Sequence, residues 1–183
     1  WHQNSKQQLG KYSPNRSIET VIADIEDVLV KGVTPTKEQL QNFSTNLATS
    51  ISDSLSNRER KSTLRMSNIG RPCERQLWYE FNIPNEGIAL RPENYMKFIF
   101  GHLVEELVLF LAELAGHEVT GRQDEAEIAG IKGHRDGVLS GTLIDVKSAS
   151  SYSFKKFAQG NLKADDPFGY IPQIQSYLYA AQT

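Results

Sequence analysis

The sequence predicts an α/β domain with a mixed sheet flanked by helices, and an N-terminal helical hairpin that precedes this domain in the chain. Apolar residues recur at helical spacing over residues 17–31 and again over 95–115. Between residues 117 and 148 the pattern changes to short strand-like segments, and a last helical segment follows. The order of helix, strands and helix is typical of a sheet covered by helices. The 183 residues suffice for one domain with an appended segment.

Composition limits the classes of function. The net charge of −2 gives no overall attraction to nucleic acid, so an anionic ligand requires a local basic patch. The single cysteine, Cys73, excludes an internal disulfide and favours a reducing, intracellular setting. No apolar run is long enough to span a bilayer and no secretory signal is visible, so we expect no membrane association.

The first 60 residues are predicted to form a helical appendage. Residues 1–15 are polar and look like a loose end. We expect Ser17 to cap a first helix ending near Lys31, and Thr36 to start a second that runs to about Leu55. The short link over residues 32–35 predicts that the two helices pack as an antiparallel hairpin. The charged stretch 57–65 reads as a linker, and residues 61–183 as the main domain.

The middle of the chain is predicted to hold two further helices. Pro72 can start a helix whose apolar face carries Leu77, Trp78 and Phe81, and Cys73 is expected to pack against it. A loop over residues 82–93 leads to an amphipathic helix over 95–115, which ends at Gly116. Its predicted core stripe comprises Leu103, Val104, Leu107, Val108, Leu111, Leu114 and Ala115.

The strands are predicted over residues 117–122, 125–128, 131–139 and 142–148. Ser140 and Gly141 separate the last two and predict a two-residue hairpin turn. Pro172 is expected to open the final helix over residues 173–181.

That hairpin would place Asp136 directly opposite Asp145, and His134 opposite Lys147. Opposed side chains have Cβ atoms roughly 4.5–5.5 Å apart, so two carboxylates there repel unless a positive charge lies between them. A shared divalent cation is one explanation, and an exposed edge with solvated charges is the other. Apolar residues on both faces of residues 142–148 indicate an inner strand, which favours the cation.

A third carboxylate comes from the long helix. Glu105 lies among small and apolar neighbours on a helical wheel, which is unusual for a solvated residue. Glu106 and Glu113 share a polar face with His102 and are expected to be solvated.

Four motifs together resemble the PD-(D/E)XK nuclease superfamily, in particular its RecB-like exonuclease branch of phage recombination and CRISPR-associated nucleases. They are G-x-x-x-E at 101–105, G-H-R-D-G at 133–137, I-D-V-K at 144–147 and Q-x-x-x-Y at 173–177. The resemblance covers about residues 67–181. It implies a restriction-endonuclease-like core and Mg²⁺- or Mn²⁺-dependent hydrolysis of DNA, in recombination, repair or phage DNA processing.

The resemblance also implies roles for individual residues. Glu105, Asp136, Asp145 and the carbonyl of Val146 would hold the metal. Lys147 would position or activate the attacking water and stabilise the developing charge. Gln173 and Tyr177 would contact DNA or orient Lys147.

This sequence departs from the family in three places. Many relatives have histidine where Glu105 stands. The lone Cys73 cannot build the four-cysteine iron–sulfur cluster of some members, so no such cluster is expected. The family core usually continues with another strand beyond the Q-x-x-x-Y helix, so we expect the core to be truncated at its C terminus.

DNA is the expected partner, and the N-terminal helices are a predicted contact for recombination or replication proteins. Residues 131–163 carry six cationic side chains against two carboxylates, a net charge of +4. Basic and aromatic side chains suit phosphate contact and base stacking. The predicted DNA-binding residues are Arg71, Arg75, Tyr152, Phe154, Lys155 and Lys156. The main alternative is a catalytically silent member that binds DNA or a protein partner.

Overall fold

Six α-helices and five β-strands are found in the part of the chain that the computed structural model describes, residues 16–56, 63–87 and 89–182. The predicted loose end and most of the predicted linker lie outside those ranges. The helices are α1 Val21–Lys31, α2 Lys37–Ser56, α3 Glu74–Asn82, α4 Pro92–Leu114, α5 Ser151–Ala158 and α6 Tyr170–Ala180. The strands are β1 Val119–Thr120, β2 Glu125–Ile128, β3 Ile131–His134, β4 Gly137–Leu139 and β5 Thr142–Ile144. This is a mixed α and β architecture.

The two N-terminal helices begin with different local structures. At the start of α2 the hydroxyl of Thr36 accepts the backbone N–H of Gln39 at 3.1 Å, and the Gln39 side chain accepts the N–H of Thr36 at 2.9 Å. This reciprocal pair is a capping box, and it confirms the predicted start. Helix α1 begins later than predicted, because residues 18–20 form a turn and Thr20, not Ser17, precedes the first helical residue.

Both N-terminal helices pack on α4 more extensively than on one another. The ring of Phe43 in α2 stacks on Phe110 of α4, with centroids 4.5 Å apart. Residues of α1, including Val21 and Ile25, pack against the buried cluster of α4, β1 and β4. The predicted packing of α1 and α2 as an antiparallel pair is therefore wrong.

The buried face of α4 differs from the predicted stripe. Leu103 and Leu107 are 36% and 47% exposed. The buried residues of this helix are Glu105, Glu106, Leu109, Phe110, Ala112 and Leu114. Apolar residues surround most of α4, so periodicity alone cannot select the face on which α1, α2 and the sheet pack.

The sheets are small and antiparallel. In the described ranges β1, β4 and β5 form one sheet in that order, and β2 pairs with β3 in a second. The only parallel pairing found there is an isolated bridge between Arg65 and Lys132, so the mixed sheet is not observed. The predicted strand 131–139 is broken at Arg135 and Asp136 into two strands that belong to different sheets. Strand β5 lies at an edge of its sheet rather than inside it.

The hairpin turn has the predicted register. Ser140 and Gly141 both have positive φ, 47° and 80°, as a type I′ turn requires. Leu139 pairs with Thr142, and the ladder ends at Gly137 and Ile144. Asp136 and Asp145 therefore lie just beyond the last pair.

The C-terminal part contains a helix that the sequence pattern did not predict. Helix α5 starts after Ser150, whose hydroxyl accepts the N–H of Ser153 at 3.3 Å. Helix α6 begins at Tyr170, two residues before Pro172, because the Asp166 carboxylate accepts the N–H groups of Tyr170 and Ile171. Among the described residues, no helix combines the length and apolar character needed to cross a membrane.

The helix α3 does not pack as predicted. Cys73 is exposed and occupies the position just before the helix. Trp78 and Phe81, expected on its apolar face, are 57% and 45% exposed.

Candidate functional site

The candidate site lies where the β4–β5 ladder ends. The Asp136 carboxylate accepts the backbone N–H of Val146 at 2.6 Å. This bond continues the contact between the two chain segments past the last ladder pair. It also turns Asp136 toward the segment that carries Asp145 and Lys147. His134, predicted opposite Lys147, instead pairs with Glu125 in the other sheet.

Asp145 is held by two side chains of the predicted site. The Lys147 ammonium donates to both of its carboxylate oxygens, with distances of 2.9 and 2.8 Å. The Gln173 amide of α6 donates to the same carboxylate at 3.2 Å. The ammonium also lies 5.6 Å from the centre of the Tyr170 ring. Helix α6 thus brings two side chains to the residues of the I-D-V-K motif.

Tyr177 ties α6 to the G-H-R-D-G segment. Its hydroxyl donates to the His134 carbonyl at 2.7 Å and accepts the Gln173 amide at 3.4 Å. A Cβ on Gly133 would lie 2.8 Å from the Tyr177 ring, so this crossing requires glycine there. Gln173 and Tyr177 are both buried. Their contacts are with Asp145 and the His134 carbonyl, not with Lys147, so the predicted roles of this pair in contacting DNA or orienting Lys147 stay predictions.

Glu105 reaches the same site from α4. It is buried, accepts the Gln123 amide at 2.6 Å and lies 3.6 Å from a ring nitrogen of His102. The contact with Glu105 raises the pKa of the His102 imidazole. Gln123 was not predicted as a residue of the site. Its positive φ of 54° marks a special backbone position, which the sequence alone does not reveal.

The carboxylates repel one another strongly. Burial first, and then the charges of Glu105 and Asp145, raise the pKa of Asp136 to about 7. The N–H of Val146 and the Lys147 ammonium oppose this shift without cancelling it. Burial likewise raises the pKa of Asp145, against the opposing effect of Lys147. The site therefore carries an excess of negative charge that a proton or a cation can neutralise.

The donor chemistry of the site suits a divalent cation, but the side chains do not converge on one. Carboxylate oxygens are the ligands that Mg²⁺ and Mn²⁺ prefer. Each of the three carboxylates instead has a protein partner, from Val146, Lys147 with Gln173, or Gln123. Within the described ranges, no group of three or more His, Cys, Asp or Glu side chains is arranged to hold a metal ion. A bound cation would therefore require these side chains to rearrange.

The predicted DNA-binding residues come from two separate parts of the chain. Arg71 pairs with Glu80, and the Arg75 guanidinium lies 5.8 Å from the Tyr79 ring centre. These two contacts involve helix α3, whereas the remaining predicted DNA-binding residues belong to α5: Tyr152, Phe154, Lys155 and Lys156.

Most of the positive charge counted over residues 131–163 is paired. Lys132 contacts Glu125 and Glu127, Arg135 contacts Asp124, and Lys156 contacts Asp165. These carboxylates lie outside the counted window, so a sequence count over the window overstates the local field. For Lys155 and Lys163, no ion pair is found in the described part of the chain.

Glu106 and Glu113 were predicted to be solvated; this is wrong for Glu106, while Glu113 stays partly exposed. Arg122 bridges them, at 3.0 Å from Glu106 and 2.8 Å from Glu113, and Glu106 is only 4% exposed. Burial raises the pKa of Glu106, while Arg122 opposes the shift. This buried pair fixes the segment after β1 to α4.

A second group of buried polar side chains, around His117, was not predicted from the sequence. The fully buried His117 ring contacts the hydroxyl of Ser140 at 3.0 Å and the carboxylate of Asp24 at 3.1 Å. Asp24 in turn pairs with Arg16. The group ties α1 to the hairpin turn.

Tyr170 is also a site residue that was not predicted. Gly169, in the left-handed conformation just before α6, marks the start of this helix, whereas Pro172 was predicted to open it.

Comparisons with family models, with curated proteins and with solved structures find no match to this chain.

Proposed function

We propose that the chain is a Mg²⁺- or Mn²⁺-dependent deoxyribonuclease of the PD-(D/E)XK type, acting as an exonuclease in DNA recombination, repair or phage DNA processing. The observation that carries this proposal is the meeting of four separate motifs at one place. Glu105 of α4, Asp136 and Asp145 beside the hairpin, Lys147, and Gln173 of α6 interact there. Four motifs spread over 77 residues of sequence have no need to meet in an ordinary core.

The excess negative charge of the site supports binding of a cation. Burial and neighbouring carboxylates raise the pKa of both Asp136 and Asp145, and such a group is unfavourable in a merely structural role. Glu105, Asp136 and Asp145 would hold the ion, with the Val146 carbonyl as a further ligand. When bound, a divalent cation polarises a phosphoryl oxygen and lowers the pKa of bound water.

Lys147 is best suited to stabilise charge on the phosphate. Burial alone would lower its pKa, but the hydrogen bond and charge of Asp145 outweigh burial, and the pKa of Lys147 lies above its ordinary value. A lysine that keeps its proton cannot act as a general base, but it can neutralise a developing negative charge. Gln173 donates to Asp145, just after β5, and Tyr177 donates to the carbonyl of His134, the last residue of β3. These contacts hold α6 against both segments and thereby fix the position of Asp145.

The direct test is degradation of linear and circular DNA, single- and double-stranded, with Mg²⁺, Mn²⁺ or EDTA. Asp145→Asn and Lys147→Met should each lower the rate about 100-fold or more, the effect typical of losing one charge-stabilising group. Lys31→Met alters an exposed lysine of α1 and should leave the rate unchanged. Degradation in EDTA, or equal rates for all three variants, would refute the proposal.

A catalytically silent DNA- or partner-binding module is the second candidate. It is favoured by the protein contacts that already occupy all three carboxylates. Tight DNA binding without cleavage in any metal would support this candidate.

A further inference from the structure

A cleft of about 490 Å³ opens beside Lys147, between α5, α6 and the residues that connect them. Asp145 and Lys147 are its charged lining residues, and its apolar lining includes Phe154, Phe157, Tyr170 and Ile174. The volume falls within the usual range for small-ligand sites, roughly 300–1,000 Å³. The cleft thus combines mostly apolar walls with two charged residues of the candidate site.

Aromatic rings line this cleft in an ordered way. Of the lining residues, Tyr170 stacks with Phe157, at 5.9 Å between centroids and 26° between planes, and Tyr170 also stacks with Phe168, which does not line the cleft, at 5.5 Å and 27°. Phe154 is 63% exposed on α5 and faces no aromatic partner in the described residues. The rings of the wall are therefore held in place, while Phe154 keeps a free face.

We propose that this cleft receives an unpaired nucleobase of single-stranded DNA. The base would stack on Phe154 and the aromatic wall, and its phosphate would lie toward Lys147 and the carboxylates. This inference rests on the proposed nuclease function and narrows its substrate to single-stranded DNA, because the bases of a duplex are covered by their neighbours.

Three observations favour a nucleobase over other occupants. A base offers a flat apolar surface, which an aromatic-lined cleft accepts without regard to sequence. A nucleotide joins a flat base to a negatively charged phosphate, and Lys147 places a cation in the cleft lining, 5.6 Å from the Tyr170 ring centre. The cleft also opens directly onto the residues proposed to act on the phosphate. An apolar protein segment would use the walls but carries no negative charge to interact with the Lys147 ammonium.

The test measures binding rather than cleavage, so it is independent of catalytic activity. A ten-nucleotide single strand of thymidine with one 2-aminopurine is titrated with the full chain in Ca²⁺, and the same probe is titrated as a blunt duplex. Stacking in the cleft should quench the 2-aminopurine fluorescence of the single strand only. Phe154→Ala should weaken its binding by about 5- to 100-fold, the range reported for losing one stacked base. Phe154→Tyr should restore binding, and Phe98→Ala, an exposed aromatic of α4 outside the cleft, should have no effect.

The outcomes separate the two proposals. Equal binding of single strand and duplex, an absence of quenching, or unchanged binding by Phe154→Ala would overturn the cleft assignment, even if the protein cleaves DNA. Quenching that Phe154→Ala abolishes, in a protein that cleaves no DNA, would support the cleft and refute the nuclease. No binding of either probe would overturn the cleft assignment.

Discussion

Replacing Asp136 with asparagine should stabilise the protein at neutral and alkaline pH. Burial and the charges of Glu105 and Asp145 make the Asp136 carboxylate unfavourable in the folded chain. Asparagine has nearly the same shape and keeps an oxygen to accept the N–H of Val146. It removes the charge, and so it removes the repulsion.

The magnitude follows from the difference in pKa. The pKa of Asp136 is about 7 in the folded state, against an ordinary value of 3.8. Between these two pH values the folded state holds a proton that the unfolded state has released, so stability falls as pH rises. A gap of about 3 units at about 1.4 kcal/mol each corresponds to roughly 4 kcal/mol. Asp136→Asn should therefore be more stable than wild type by up to about 4 kcal/mol at pH 8, with little difference at pH 4.

Urea unfolding in EDTA at pH 4, 6 and 8 measures this difference. Asp53→Asn, which changes an exposed aspartate of α2, controls for the general effect of removing one negative charge. A free energy of unfolding for Asp136→Asn no greater than that of wild type at pH 8, or a difference that is the same at every pH, would contradict a raised pKa of Asp136.

Two further substitutions test how the site is held. Gly169→Ala should destabilise the protein more than Gly130→Ala, by about 2 kcal/mol or more. Both glycines have positive φ. A Cβ at Gly169 would lie 2.5 Å from the backbone of Gly70, whereas a Cβ at Gly130 would have no neighbouring atom within 4 Å. Equal losses of stability in thermal unfolding would contradict this prediction. Arg122→Met should cost about 3–5 kcal/mol in urea unfolding, because it leaves Glu106 buried without its cation; a loss under 1 kcal/mol would show that Glu106 gains solvent instead.

The features that sequence predicted well depend on local chemistry. The register of the β4–β5 hairpin follows from the turn at Ser140 and Gly141, since few residue pairs adopt positive φ at both positions. The start of α2 follows from the capping box of Thr36 and Gln39. Glu105 has small or apolar helical neighbours, and its role as a site residue stays a prediction. It was buried as this environment suggested.

The features that could not be predicted from the sequence depend on contacts between segments that are distant in the chain. Which face of α4 is buried is set by α1 and α2 packing on it, and periodicity cannot show that. The prediction that Glu106 is solvated was wrong, because Arg122, sixteen residues away, forms an ion pair with it. The start of α6 was misplaced because the Asp166 side chain and the Gly169 backbone, rather than Pro172, begin the helix.

Binding of Mn²⁺ tests the central claim most directly. Calorimetric titration at pH 7.5, in the absence of DNA, should show binding to the wild-type chain that Asp145→Asn weakens at least about tenfold, as loss of one ligating or supporting carboxylate does. Asp53→Asn should bind as wild type does. Equal Mn²⁺ binding by wild type and Asp145→Asn, or no binding by the wild type at millimolar Mn²⁺, would contradict a cation site formed by Glu105, Asp136 and Asp145.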